Sequence, residues 1–290
     1  MSQEVFESIK EPKGDLEYLY RKAKINVERD LANFDEYPEP DPDDRALENL
    51  AFTFHYDCDR DEDPDYMLIF EDPGMLGSDR HERVWNDQFK HLESDRSPQK
   101  WIEGHRQIVI SWLTETVRDG FTEAFCRISA ECELIDWELE DVMDDDGDDR
   151  DMEAFTEAFF GDFYYTNTVK YRDASHGKTE QDESFEQHLG DEISQLDPEL
   201  IFVFGSTAWS TVRRNMEIQP PDDFDGDEGT LRDVHGGRFR AEGPEGDDGH
   251  RGGYDVIPGY HPSARGNNWS DSELERRLRD SLESWGSTGV

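Results

Sequence analysis

Residues 196–209 read "LDPELIFVFGSTAW". Within them Ile201–Gly205, "IFVFG", is a short unbroken apolar run, the pattern of a strand buried on both faces. The next residues, "STAWSTVRRNM", start a helix directly after Gly205. Upstream, "KTEQDESFEQHLGDEISQLDPEL" (Lys178–Leu200) opens with Thr179 as a helix cap and carries Phe185, Leu189, Ile193 and Leu196 at helical spacing. Helix, buried strand, helix is the unit from which parallel sheets are built.

Working outward, the alternation recurs. "DYMLIFEDPG" (Asp65–Gly74) is a short apolar run ending in a Pro-Gly turn, a strand with its C-terminal loop. "GHRQIVISWLTETVRDG" (Gly104–Gly120) has Ile108, Trp112, Leu113 and Val117 at helical spacing. "DFYYTNTVKY" (Asp162–Tyr171) is β-rich, Tyr254–Ile257 forms a further strand, and "SDSELERRLRDSLESW" makes a terminal helix. The expected fold is α/β: three α/β/α layers around a central, mostly parallel four-stranded sheet. Residues 1–48 read as a polar N-terminal extension, broken by the prolines of "EYPEPDPDD" (Glu36–Asp44). The globular domain is expected over 49–269, with a Gly- and Asp-dense insert at about 220–253, and the C-terminal helix over 270–290.

Asp and Glu outnumber Lys and Arg by 72 to 30, giving a formal net charge of -42. Disorder is one cause of such a balance. Seven Trp, seventeen Phe and ten Tyr argue instead for a real core. The acid is spread along the whole chain, and Arg outnumbers Lys by 22 to 8. That pattern resembles the proteins of extreme halophiles, which work in molar salt. There the Debye length falls to about 3 Å and self-repulsion is screened. An acidic decoy or interaction surface is the other reading of the same charge.

Three cysteines, Cys58, Cys126 and Cys132, are too few and too irregular for a disulfide framework or a zinc site. The N-terminus has no basic region leading into an apolar core. No apolar run approaches the ~20 residues that a membrane span needs. A soluble, cytoplasmic monomer is expected, with no membrane partner.

In a parallel sheet, the loops at the carboxyl ends of the strands form the site. Four loops qualify: after Phe70, around Asn167, after Phe204 and after Ile257. Glu71-Asp72-Pro73-Gly74 sets two carboxylates at a strand end beside backbone donors, although a plain acidic turn reads the same way. Asn167 offers one acceptor and two donors, a match for the edge of an amide-like ring, or caps a turn. His261-Pro262-Ser263 places a donor for a developing anion on a loop stiffened by Pro262, or is a surface loop histidine.

The order "LIFEDPG", "YYTNTVKYR", helix, "LDPELIFVFGSTAW", "VHGGRFR", "VIPGYHPSAR" resembles the uracil-DNA glycosylase superfamily, especially its thermophile-type branch, over roughly Asp65–Arg265. The resemblance implies an enzyme that removes uracil or a related deaminated base from single- or double-stranded DNA. It places Asp72 or Glu71 at the carboxylate that serves the attacking water, with Pro73 and Gly74 completing the motif. It places Asn167 at the residue that reads the uracil edge, and His261, with Pro262 and Ser263, at the histidine that steadies the departing base. Arg265 falls where a wedge residue enters the duplex.

Four departures accompany the likeness. Phe70 stands where the family has Gly, which would crowd the base. The family's "Gly-x-Pro-Phe" stretch is missing after Gly74, leaving Trp85 and Trp101 as candidates for the aromatic that stacks on the base. The branch holds an iron–sulfur cluster on four cysteines; here three stand in other places, Tyr171 occupies one ligand position, and no cofactor is expected. The chain is also strongly acidic for a DNA partner, although Arg213, Arg214, Arg238, Arg240 and Arg265 form a local basic set unless neighbouring acids neutralise them. A catalytically silent member, binding nucleic acid or a protein through the same cleft, is the alternative; a nucleoside or nucleotide hydrolase is a third.

Overall fold

All five residues of Leu200–Phe204 are buried in a strand, as the unbroken apolar run predicts. The computed structural model describes residues 64–71, 113, 121–142, 152–169, 177–222, 224–245, 251–262 and 272–286. In chain order the elements are β1 (Tyr66–Phe70), α1 (Phe121–Glu131), α2 (Leu139–Val142), α3 (Met152–Asp162), β2 (Phe163–Asn167) and α4 (Lys178–Ser184). A π-helical turn (Phe185–Leu189) leads into α5 (Gly190–Leu196), followed by β3 (Leu200–Phe204), α6 (Ser206–Asn215) and β4 (Glu217–Gln219). Then come α7 (Leu231–Val234), β5 (Phe239–Glu245), β6 (Arg251–Gly259) and α8 (Ser272–Gly286).

The sheet order is β2-β1-β3-β6-β5-β4. The first four strands run parallel, and β5 and β4 extend the sheet antiparallel. The expected four strands are therefore the parallel part of a six-stranded sheet. The two further strands come from Glu217–Gln219 and from the segment expected to be an insert. Phe239, Ala241 and Gly243 are buried, while Arg240 is exposed and Glu242 half-buried. That is the two-residue alternation of a strand. Glycines and charges diluted this alternation in the sequence.

Both faces of the sheet are covered. On one, Leu68, Phe70, Phe163, Tyr165, Phe202, Phe204 and Ile257 pack with side chains of α1, α3 and α8. Phe125 sits at its centre, with ring centroids 5.4, 5.1 and 5.8 Å from Phe163, Phe202 and Phe204. Each fully buried ring contributes about 1.5–3 kcal/mol of burial, so this aromatic face dominates the core. The intervening strand residues face α5 and α6. There the Thr166 hydroxyl donates to Glu192 of α5 at 2.7 Å, and Trp209 of α6 meets Phe239 of β5 at 5.3 Å. Three layers result, as expected.

Details at the ends differ from expectation. The helix from Lys178 has Gly177 at its N-cap with no side-chain cap, so Thr179 lies inside the first turn and is not the cap. Phe185, Leu189, Ile193 and Leu196 are all buried, as their spacing predicts. The helix expected over 104–120 and the extension 1–48 lie outside the described residues, apart from buried Leu113. Among the described residues, no helix is long and apolar enough to cross a membrane.

Candidate active site

Because β2, β1, β3 and β6 are parallel neighbours, their carboxyl ends share one edge of the sheet. Phe70 pairs with Asn167, and Phe204 with Gly259. The four loops singled out in the sequence therefore meet at a common rim.

Glu71 is the first residue beyond β1. Its Oε1 accepts the backbone N–H of Thr207 at 3.0 Å, in the first turn of α6. A carboxylate there is stabilised by unpaired amides and the helix dipole. The Glu71 carbonyl also accepts Val169 N–H at 3.2 Å and the Thr168 hydroxyl. Glu71 thus ties the ends of β1 and β2 to the start of α6. Gly205 makes room for it. Its φ of +105° is open to glycine and strained for other residues, and a Cβ there would stand 2.5 Å from Glu71 Oε1.

Asn167 ends β2 and is fully buried. Among the described residues, neither its Oδ1 nor its Nδ2 has a hydrogen-bond partner. An unsatisfied buried amide costs about 1–3 kcal/mol. Two residues on from Tyr165, it lies on the same face of β2 as that ring.

Phe70 links Asn167 to His261. It is the register partner of Asn167, and its ring stacks on Tyr165 at 4.9 Å and on Phe204 at 5.0 Å. Its edge meets the His261 ring at 5.9 Å and 86°. Only 1% exposed, Phe70 lies below the rim as part of the aromatic core. The crowding expected of a Phe at this position takes the form of a floor between two strand ends. β2 and β6 lie three strand spacings apart, about 14 Å between backbones. Asn167 and His261 flank that span.

The loop after β6 is held from beneath. Tyr260 N–H donates to Nδ1 of His235 at 3.0 Å, and the two rings lie 4.6 Å apart at 32°. Gly236 N–H donates to the Pro258 carbonyl at 2.8 Å, with φ +70° and no space for a Cβ against α8. Ser281 and Arg277 of α8 donate to the carbonyls of Gly236 and Asp233. The sequence showed "VHGG" plainly, yet its histidine had no assigned role. Only the fold brings it under Tyr260.

Asp72, Pro73, Gly74, Ser263 and Arg265 lie outside the described residues, as do Trp85, Trp101 and Tyr171. The structure therefore brings Glu71, Asn167, His261 and Pro262 to one rim. Of the basic set, Arg214 pairs with Asp182 at 2.9 Å, and Arg238 and Arg240 pair with Asp255 at 3.0 and 3.3 Å. All three are ion-paired, with Arg238 and Arg240 sharing the one carboxylate of Asp255. Among the described residues, no group of three or more His, Cys, Asp and Glu side chains could hold a metal ion.

No curated protein gives a significant match to the chain. Residues 59–283 match the family model of the uracil DNA glycosylase superfamily. That match spans all six strands and both the Glu71 and His261 loops. The chain belongs to the uracil DNA glycosylase superfamily.

Proposed function

We infer that this protein is a DNA glycosylase that hydrolyses the N-glycosidic bond of uracil, or of a related deaminated base, in DNA. One observation carries the reading. Asn167 is fully buried, with both amide atoms unpartnered among the described residues, at the strand end that Phe70 joins to His261. A buried amide without partners is costly and is retained where a ligand satisfies it. One acceptor and two donors complement the edge of a pyrimidine bearing a carbonyl and a ring N–H.

Breaking the bond develops positive charge on the sugar and negative charge on the base. His261, across the span from Asn167, donates to the base as the anion forms. A preorganised donor of this kind is worth about 3–4 kcal/mol. Asp72 is assigned to hold the water and to stabilise the cationic sugar. Glu71 takes a different part, because its carboxylate already accepts Thr207 N–H while its backbone carbonyl joins the ends of two strands. It fixes the loop from which Asp72, Pro73 and Gly74 continue. The target nucleotide must leave the base stack to reach a buried amide. Ser263 is assigned to contact the strand, and Arg265 to fill the gap as the wedge.

The ion-paired arginines favour binding through stacking, hydrogen bonds and insertion over phosphate charge. Cation–phosphate contacts each lose about 0.9 log units of affinity per tenfold rise in salt. An acidic surface in molar salt forfeits little by lacking them.

The test is formation of alkali-labile abasic sites in single- and double-stranded DNA containing uracil, hypoxanthine or xanthine, in roughly molar KCl. Native protein should cut uracil DNA, and His261→Ala and Asp72→Ala should each lose on the order of 100-fold in rate. Absence of abasic sites on all three substrates would reject the glycosylase and leave a member that binds without cutting.

A further inference from the structure

We propose that His235 is the positioning residue for His261: it holds the Tyr260 backbone as a neutral hydrogen-bond acceptor and so fixes the loop that presents His261 to the base. The inference rests on the glycosylase reading for its consequence, and on geometry alone for the contact.

β6 ends at Gly259, where pairing to β3 also ends. The next backbone donor, Tyr260 N–H, must find an acceptor outside the ladder. It finds Nδ1 of His235 at 3.0 Å, on a ring only 1% exposed. A nitrogen that accepts carries no proton, so this imidazole is neutral and holds its hydrogen on Nε2. The ring also lies against the Tyr260 ring at 4.6 Å, a second hold on the same residue. His235 is itself fixed, because the turn after α7 is bonded to Pro258 on one side and to Ser281 and Arg277 on the other.

His261 follows Tyr260 directly. Its backbone is bracketed by the His235 contact upstream and by Pro262 downstream, since a residue before proline is confined to extended conformations. Its ring meets the edge of Phe70. Three restraints from separate parts of the chain thus converge on one side chain. Removal of the acceptor frees Tyr260 N–H and lets the loop shift. A displacement of about 1 Å at a catalytic group can cost on the order of 100-fold in rate.

The experiment uses the full chain with His235→Asn, which keeps a short side-chain acceptor, and His235→Leu, which does not. Amide exchange of Tyr260, followed by NMR, should stay near native in His235→Asn and accelerate at least about tenfold in His235→Leu. In uracil excision, His235→Leu should lower kcat on the order of 100-fold with KM nearly unchanged. His235→Asn should retain most of kcat. In a His261→Ala background, His235→Leu should add almost nothing, because the two residues act as one unit. Unchanged Tyr260 exchange in His235→Leu, equal loss in Asn and Leu variants, or fully multiplicative effects with His261→Ala would overturn the proposal. If native protein excises nothing, the glycosylase reading fails, while Tyr260 exchange still decides for or against the His235 contact.

Discussion

Phe70 meets His261 edge to face, with centroids 5.9 Å apart and ring planes at 86°. The same ring is stacked between Tyr165 and Phe204, so the aromatic core reaches directly beneath the candidate catalytic histidine. Core packing and site geometry are therefore coupled at one residue. Phe70→Ala should destabilise by about 3–5 kcal/mol, because the cavity opens under several rings at once. Phe70→Leu fills most of that volume and should cost less than about 1.5 kcal/mol. Urea unfolding midpoints separate the two, and uracil excision should fall in both because His261 loses its support.

Asn167 sets stability against function. Both of its amide atoms are buried without partners among the described residues. Asn167→Leu keeps a similar shape and removes the unsatisfied groups, so it should raise stability by about 1–3 kcal/mol while abolishing excision. A thermal melt and an abasic-site assay on the same preparation check both halves. A less stable Asn167→Leu would show that the amide is satisfied in the folded protein.

Gly205 carries two burdens that can be separated. Gly205→Ala should cost about 1–3 kcal/mol from the positive φ alone. It also drives a Cβ against Glu71, with Cγ and Oε1 at 2.7 and 2.5 Å. In a Glu71→Ala background the collision is gone and only the backbone strain remains. The double variant should therefore be more stable than the sum of the single losses, as read from urea midpoints.

Asp182 supplies a pH-dependent contribution away from the site. Burial pushes its carboxyl upward, but hydrogen bonds from Arg214 and Asn215, with the Arg214 charge, outweigh that and hold it below its ordinary value. A folded pKa that is depressed stabilises the protein above the unfolded value of about 3.9, and the contribution fades as pH falls through the folded value. Asp182→Asn should thus lower stability at pH 7 by no more than about 1 kcal/mol, since the pair is partly exposed. The gap should narrow as pH falls below the unfolded value, as denaturation curves at neutral and acid pH would show.

Much of this layout is legible in the sequence. Unbroken apolar runs mark the buried parallel strands, and the 3.6-residue spacing of Phe185, Leu189, Ile193 and Leu196 marks the helix, because burial on one or both faces writes directly into local pattern. The strand-end positions of Glu71, Asn167 and His261 follow from the same reading. β5 was hidden because its inward positions include Ala241 and Gly243, too small to stand out between charges. Local sequence also suggested two equivalent carboxylates at residues 71 and 72. That Glu71 is engaged by Thr207 depends on a contact 136 residues away. His235 escaped for the same reason: its partner, Tyr260, is 25 residues distant and becomes its neighbour only when β5 pairs antiparallel with β6.

The most direct measurement is an NMR titration of the native chain with free uracil in roughly molar KCl, following the Asn167 side-chain amide and the His261 ring together. If the base lies between these residues, both sets of signals should move along one saturable curve, and Asn167→Leu should abolish the His261 response. Movement of neither, or of His261 alone with Asn167 unperturbed, would contradict a base site spanning the ends of β2 and β6.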